Sequence, residues 1–295
     1  MSTTDRPSRG IALRLLSGVL GAGMFVCVKA VSDKVPLGEI VFFRSAFALL
    51  PLVLFLWFRH EFPSGLATKR PGAHLTRSAC GALAMFTSFA AIARLNVAEA
   101  IVIAQLTPVL MAIAAVVLLS ERLTRWRVAG LVLGFAGVIV LVWPELDGAG
   151  TDRTRLVGYL IGLASAVLSA LALIMVRSLN RTESPGAIAL YFVVASMLGA
   201  LVTLPWGWVM PQGQTLVLLI ASGVFGGGAH IAMTLAFRYA EASRLAPFEY
   251  VALLWPLLAD LFIFRLNLST TFLIATPLIL AGAAIAAAEG NARRH

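Results

Sequence analysis

Five ionisable side chains, Lys29, Arg44, His230, Glu249 and Asp260, fall inside stretches that are otherwise apolar, and these are the residues best placed to do chemistry. A charge or imidazole within a hydrocarbon layer is costly and points to function by default. At ~1.5 Å per residue, His230 and Glu249 sit at similar depth from one end of their runs. Arg44 and Asp260 sit at comparable depth from the other end, with Lys29 and Glu39 nearer the surface. Polar groups on two sides of an apolar middle are the pattern of two alternating gates. An imidazole exchanges protons near neutral pH, so His230, like Glu249, is a candidate to contact a solute or a proton. Structural readings stand beside these. His230 also fits a satisfied core histidine, Arg44 a partner of a backbone carbonyl, and Lys29 and Glu39 side chains that reach the interface.

Other residues qualify as walls or hinges of a cavity. Phe86, Phe89, Tyr250 and Trp255 are aromatic groups in span interiors, and Gln105 offers an amide one turn from Pro108. Ligand pockets combine apolar walls with a few convergent polar groups, although each of these residues is equally compatible with core packing. Pro108 and Pro256 fall midway along their runs, where a proline removes a backbone bond and kinks a helix. The triple glycine Gly226–Gly228 weakens a helix by roughly 1 kcal/mol per residue against alanine, so a break at Gly227, just before His230, is expected. Gly130-x-x-x-Gly134 and Gly158-x-x-x-Gly162 read as close helix packing.

Enzyme signatures are missing: the chain contains no HExxH, Walker A or GxSxG motif. Cys27 and Cys80 form no CxxC pair or metal spacing, so no metal or cofactor is expected. An enzyme acting on lipid-linked substrates would need a nucleophile–base pair at one depth. His230 with Glu249 is the only candidate for it, and the alternative stays open on that pair alone.

The elements that must position these residues follow from composition. Of 295 residues, 60% are hydrophobic and 13% charged, against about 25% charged in a soluble domain. Charge-free runs at Ala100–Ser120, Leu156–Val176, Ser184–Phe237 and Leu266–Ala288 each exceed the ~18 residues of a candidate span. A soluble enzyme, a disulfide scaffold and a disordered chain are excluded. Ten apolar helices are expected, at about 11–31, 37–58, 74–93, 97–119, 126–143, 156–177, 186–205, 215–237, 244–265 and 270–289. The net charge of +9 forms no stripe that could follow a phosphate backbone, so nucleic acid is not an expected partner. With the N-terminus inside, 16 Lys/Arg face the cytoplasm and five face the other side, which predicts both termini cytoplasmic.

The chain divides at residues 144–155, with five spans on each side. An odd number places two related halves in opposite orientations. Thr107-Pro108 is matched by Trp255-Pro256, Pro36 by Pro185, Gly137 by Gly282, and Arg94–Ala98 by Arg238–Ala242. Inverted repeats with a midplane site are an architecture of secondary transporters.

Pro108-Val109, Ser120-Glu121-Arg122-Leu123, and Gly130 with Gly137 make the first half resemble the EamA repeat of the drug/metabolite transporter superfamily. The second half departs from the pattern, with Arg265 where Glu121 stands and Ala275 in place of Gly130. The resemblance implies an all-α integral membrane protein of ten transmembrane helices arranged as two inverted five-helix repeats, 11–143 and 156–289. Cytoplasmic tails 1–10 and 290–295 and a linker 144–155 complete the expected layout. It implies a carrier rather than an enzyme, working by alternating access in a bacterial inner membrane on a small-molecule substrate. Amino-acid export in the manner of YddG-like exporters is the leading expectation. A nucleoside, a vitamin or an S-adenosylmethionine-like metabolite is the alternative.

Overall fold

The computed structural model describes residues 7–60, 62–63, 66–68, 70–119, 125–146, 152–179, 182–239 and 253–292, with positions 245, 248 and 251. Among these residues every regular element is helical. The helices are α1 Pro7–Val31, α2 Leu37–Phe58, α3 Pro71–Arg94, α4 Val97–Ala104, α5 Thr107–Leu119, α6 Arg125–Leu146, α7 Arg153–Leu179, α8 Pro185–Leu201, α9 Gly213–Tyr239, α10 Leu254–Phe262 and α11 Thr270–Ala292. Six of them carry stretches of 19 to 24 residues apolar enough to cross a bilayer, in α1, α2, α3, α6, α7 and α9. Val97–Met111, Pro185–Leu201 and Thr270–Ile285 are shorter apolar helical stretches. A backbone that leaves water must satisfy its own hydrogen bonds, and helices do so within one segment.

Two expected helices are interrupted. The span expected at 97–119 stops at Ala104 and restarts at Thr107, one residue before Pro108. The span expected at 244–265 restarts at Leu254 after a turn residue at Leu253, two residues before Pro256. Proline sits in the first turn of each restarted helix, where its missing N–H costs nothing. The expected stop at Trp143-Pro144 does not occur, since α6 runs through Pro144 to Leu146.

The chain forms two compact units, each drawing on both sides of the 144–155 loop. The first comprises residues 1–82 and 179–259, and the second 83–178 and 260–295. In the first, α9 packs along α1 and α2, and α8 lies on α2. The expected break at Gly227 is corrected here, because α9 is continuous from Gly213 to Tyr239. Its glycines serve contact instead. A methyl at Gly223 would lie 2.5 Å from Phe47 Cβ and 2.8 Å from the Arg44 carbonyl, and one at Gly227 would lie 2.5 Å from Pro51 Cγ. Packing against α2 outweighs the roughly 1 kcal/mol per glycine that local propensity charges.

The second unit uses the same device between α6 and α11. A methyl at Gly282 would lie 2.6 Å from the Gly130 carbonyl oxygen and 2.7 Å from Gly134 N, so two backbones touch there. Backbone cannot swing aside as a side chain can. Gly282→Val is therefore expected to cost at least about 1–3 kcal/mol. The check is the unfolding midpoint in detergent, with Gly199→Val in α8 as the control, since nothing lies within 4 Å of a methyl there.

Candidate functional site

Within the first unit, α2, α8 and α9 enclose a cavity of about 80 Å3. Its wall is mainly carbon, from residues such as Phe55, Gly186 and Ala189, and its polar members are Arg59, His230 and Thr234. Thr234 Oγ1 donates to the His230 carbonyl at 2.8 Å, which ties this stretch of α9 down. One residue before His230, the Ala229 carbonyl accepts from Ser17 Oγ of α1 at 2.9 Å. The His230 residue is exposed and lines the cavity.

Arg44 lies on α2 and is 3% exposed. A methyl on Gly226 would come within 3.2 Å of its Nε and Nη2, so the absence of a side chain there makes room for the guanidinium one turn from His230. Arg44 Nε and Nη1 are buried without a hydrogen-bond partner, as are Arg77 Nε and Nη1. Arg77 stacks on the Phe192 ring, its guanidinium carbon 4.3 Å from the centroid. Sequence reasoning places Arg77 among the topology-setting charges at span ends. Helix α3 begins at Pro71, before the expected start at 74, and this carries Arg77 a turn into the helix.

The other expected site residues are dispersed. Lys29 is half-buried in the last turn of α1, where its carbonyl accepts from Ser32 Oγ at 2.9 Å. Glu39 is 1% exposed and accepts from Val209 N at 2.9 Å, which ties the start of α2 to the segment before α9. Trp255 is half-buried at the start of α10, with Nε1 unpartnered. Glu249 and Tyr250 lie outside the described residues. In the second unit, Phe86 is half-buried on α3, Phe89 is buried there, and Gln105 ends α4 with its N–H directed at the Ile101 and Val102 carbonyls. Asp260 is fully buried, and its carboxylate accepts from Val97 N at 3.1 Å and Ala98 N at 2.6 Å. Those are the first two residues of α4, so Asp260 performs a cap's work for a helix 162 positions away in sequence.

Sequence reasoning misses a second polar centre. Arg155 Nε donates to Glu145 Oε1, and its Nη2 donates to Glu99 Oε1 and to the Tyr159 hydroxyl, each at 2.8 Å. Tyr159 and Glu99 are 3.2 Å apart, and Glu99 reaches back to Asn96 N at 3.1 Å. The network joins the start of α4, the end of α6 and the start of α7. Among the described residues, no group of three or more His, Cys, Asp or Glu side chains could hold a metal ion.

Comparison with known proteins agrees with this architecture. A solved structure superposes with a TM-score of 0.66 over 98% of this chain and 99% of that chain, at 22% identity, and so shares its fold. The model of the EamA-like transporter family matches residues 8–143. The pseudopaline exporter of Pseudomonas aeruginosa is 30% identical over 258 residues, covering 85% of this chain and 86% of its own. The chain belongs to the EamA-like transporter family. The S-adenosylmethionine uptake transporter of Rickettsia felis is 26% identical over 259 residues, covering 86% of this chain and 84% of its own. This EamA-like protein is thus a multi-pass membrane transporter with a small-molecule substrate, and not an enzyme. One relative exports and another takes up, so kinship alone leaves the direction of transport open.

Proposed function

We propose that this transporter is a secondary carrier that exports small organic metabolites, amino acids first among them, across a bacterial inner membrane. Two inverted five-helix repeats, 11–143 and 156–289, would expose one midplane cavity alternately to each face. The observation that carries this reading is the pair of interrupted helices, α4/α5 before Pro108 and the restart of α10 before Pro256. Interruptions at corresponding positions of two halves mark transporter binding sites, because they free backbone groups at membrane depth. The N-terminus of α5 presents a partial positive charge suited to a substrate carboxylate. The 16-to-five split of Lys/Arg supports cytoplasmic termini.

The test is counterflow in liposomes that hold the purified protein, with a panel of labelled amino acids, a nucleoside, a vitamin and S-adenosylmethionine. Exchange of at least one amino acid is expected well above protein-free vesicles. Exchange of another metabolite alone would remove the amino-acid assignment, and exchange of none would remove the carrier reading. Repeating the assay under an imposed pH gradient reads out proton coupling.

A further inference from the structure

The cavity of about 80 Å3 between α2, α8 and α9 lies toward one end of these helices rather than at their middles. Arg59 caps the end of α2, Gly186 is the second residue of α8, and Thr234 stands shortly before α9 ends at Tyr239. Trp57 and Phe58, the two residues before Arg59, are largely exposed, and Trp57 stacks on Phe62 with ring centroids 6.5 Å apart. Aromatic girdles of this kind mark the headgroup level of a bilayer. The Arg59 end of the cavity is therefore at the depth where lipid phosphates lie. At ~1.5 Å per residue, His230 sits about 14 Å in from the end of α9, below that level.

The lining divides into carbon and hydrogen-bond donors. Leu52, Phe55, Ala189 and Ile231 supply the carbon. The Arg59 guanidinium carbon lies 5.4 Å from the Phe55 ring centroid. A guanidinium presents five N–H donors, enough to take a phosphate beside the contacts that Arg59 already makes. In α8, Ser184 Oγ accepts from Ala187 N at 3.1 Å and Pro185 has no N–H. The Gly186 N–H is thus the first-turn donor that neither the helix nor its cap uses. Thr234 spends its hydroxyl proton on the His230 carbonyl, which leaves the Thr234 oxygen as an acceptor.

We propose that this cavity binds the phosphate of an anionic phospholipid, with Arg59 as the counter-charge. The Gly186 N–H and the positive end of the α8 dipole add to the attraction. The His230 imidazole, lying deeper, suits the glycerol and ester oxygens, and the carbon wall suits the first part of a chain. Basic pockets between transmembrane helices hold lipid headgroups in this way. A choline headgroup would bring a second cation to Arg59, so a zwitterionic lipid is disfavoured. The site goes beyond the carrier reading and does not rest on it. A soluble phosphate ester shares the ligand chemistry, and the depth of Arg59 favours the lipid.

The experiment is thermal shift and native mass spectrometry on the full-length protein, delipidated in a neutral detergent. The probes are dihexanoyl phosphatidylglycerol, dihexanoyl phosphatidylcholine and glycerol 3-phosphate. The phosphatidylglycerol is expected to raise the unfolding midpoint and to bind at least tenfold more tightly than the phosphatidylcholine. Arg59→Gln should erase most of that preference, and Arg59→Lys, which keeps the charge, should restore part of it. Arg70→Gln is the control, because Arg70 is exposed in the segment between α2 and α3 and does not line the cavity. A fall at Arg70 as large as that at Arg59 would show diffuse surface attraction and overturn the site. Equal affinity for the two lipids would overturn it as well. If Arg59→Gln does not accumulate, Ala189→Leu narrows the cavity without changing its charge. Phosphatidylglycerol affinity should then fall several-fold, and full retention would count against the site. Glycerol 3-phosphate binding as tightly as the lipid would remove the lipid as occupant and leave a phosphate site for a soluble ester.

Discussion

Arg155→Met is expected to destabilise the second unit by about 3–5 kcal/mol, the cost of removing one partner of a buried ion pair. The side chains of Glu99 and Glu145 are 3% and 11% exposed, and both depend on the Arg155 guanidinium at 2.8 Å. Without it, two largely buried carboxylates lose the guanidinium, itself 28% exposed, that neutralises them, while Glu99 keeps its bonds to the Tyr159 hydroxyl and Asn96 N. The loss should show as a fall in the detergent unfolding midpoint. The triple variant Glu99→Gln, Glu145→Gln, Arg155→Met should recover much of it, because the penalty comes from the orphaned charges more than from a lost attraction. A midpoint unchanged by Arg155→Met would mean that water already screens this site. If the triple variant were as unstable as the single one, the hydrogen-bond geometry would matter more than the charge.

Why this network escapes a sequence reading is plain from its spacing. Glu99 and Arg155 are 56 positions apart on separate helices, and no periodicity links them. Read along the chain, Arg155 is one more basic residue at a helix end, and Glu145 is a loop acid after Pro144. Only the extension of α6 through Pro144 to Leu146 brings Glu145 to the guanidinium. Arg77 escapes for a related reason, since a start at Pro71 rather than 74 moves it a turn further into the helix, where its Nε and Nη1 are buried. The helices themselves are legible, because length and continuous apolarity are local properties. The observed α2 and α9 begin and end within a few residues of the apolar runs at 37–58 and 215–237.

Gly226–Gly228 and Pro108 show where local rules divide. Glycine is a weak helix residue in isolation, yet α9 passes through three in a row because its neighbours crowd them: Met24 of α1 and Arg44 of α2 at Gly226, Pro51 of α2 at Gly227 and Leu20 of α1 at Gly228. Proline removes a donor whatever surrounds it, and no packing restores that group. Even so, α2, α6 and α11 run through Pro51, Pro144 and Pro277, and interruptions accompany proline at the starts of α5 and α10. Arg44 and His230 stand out as polar residues in apolar runs, but only the structure reveals that Gly226, one turn from His230, makes room for the Arg44 guanidinium.

Asp260→Ala is expected to cost about 2–4 kcal/mol, because the N–H groups of Val97 and Ala98 would each lose a charged acceptor in a buried place. Helix α4 has eight residues, too short to hold itself, and its N-terminus depends on Asp260 for two donors and on Glu99 for the Asn96 N–H. Asp260→Asn keeps an acceptor oxygen but loses the charge that favours a helix N-terminus, so its loss should be about half as large. These variants also decide between two roles for the same carboxylate. If Asp260 is a cap, the asparagine variant has a lower unfolding midpoint, and the folded fraction still performs counterflow at a normal rate with unaltered response to a pH gradient. If it is a gate or coupling group, the midpoint holds and the gradient response changes. The two hydrogen bonds from Val97 N and Ala98 N favour the cap, and they explain why an acid inside an apolar run can be retained without touching a solute.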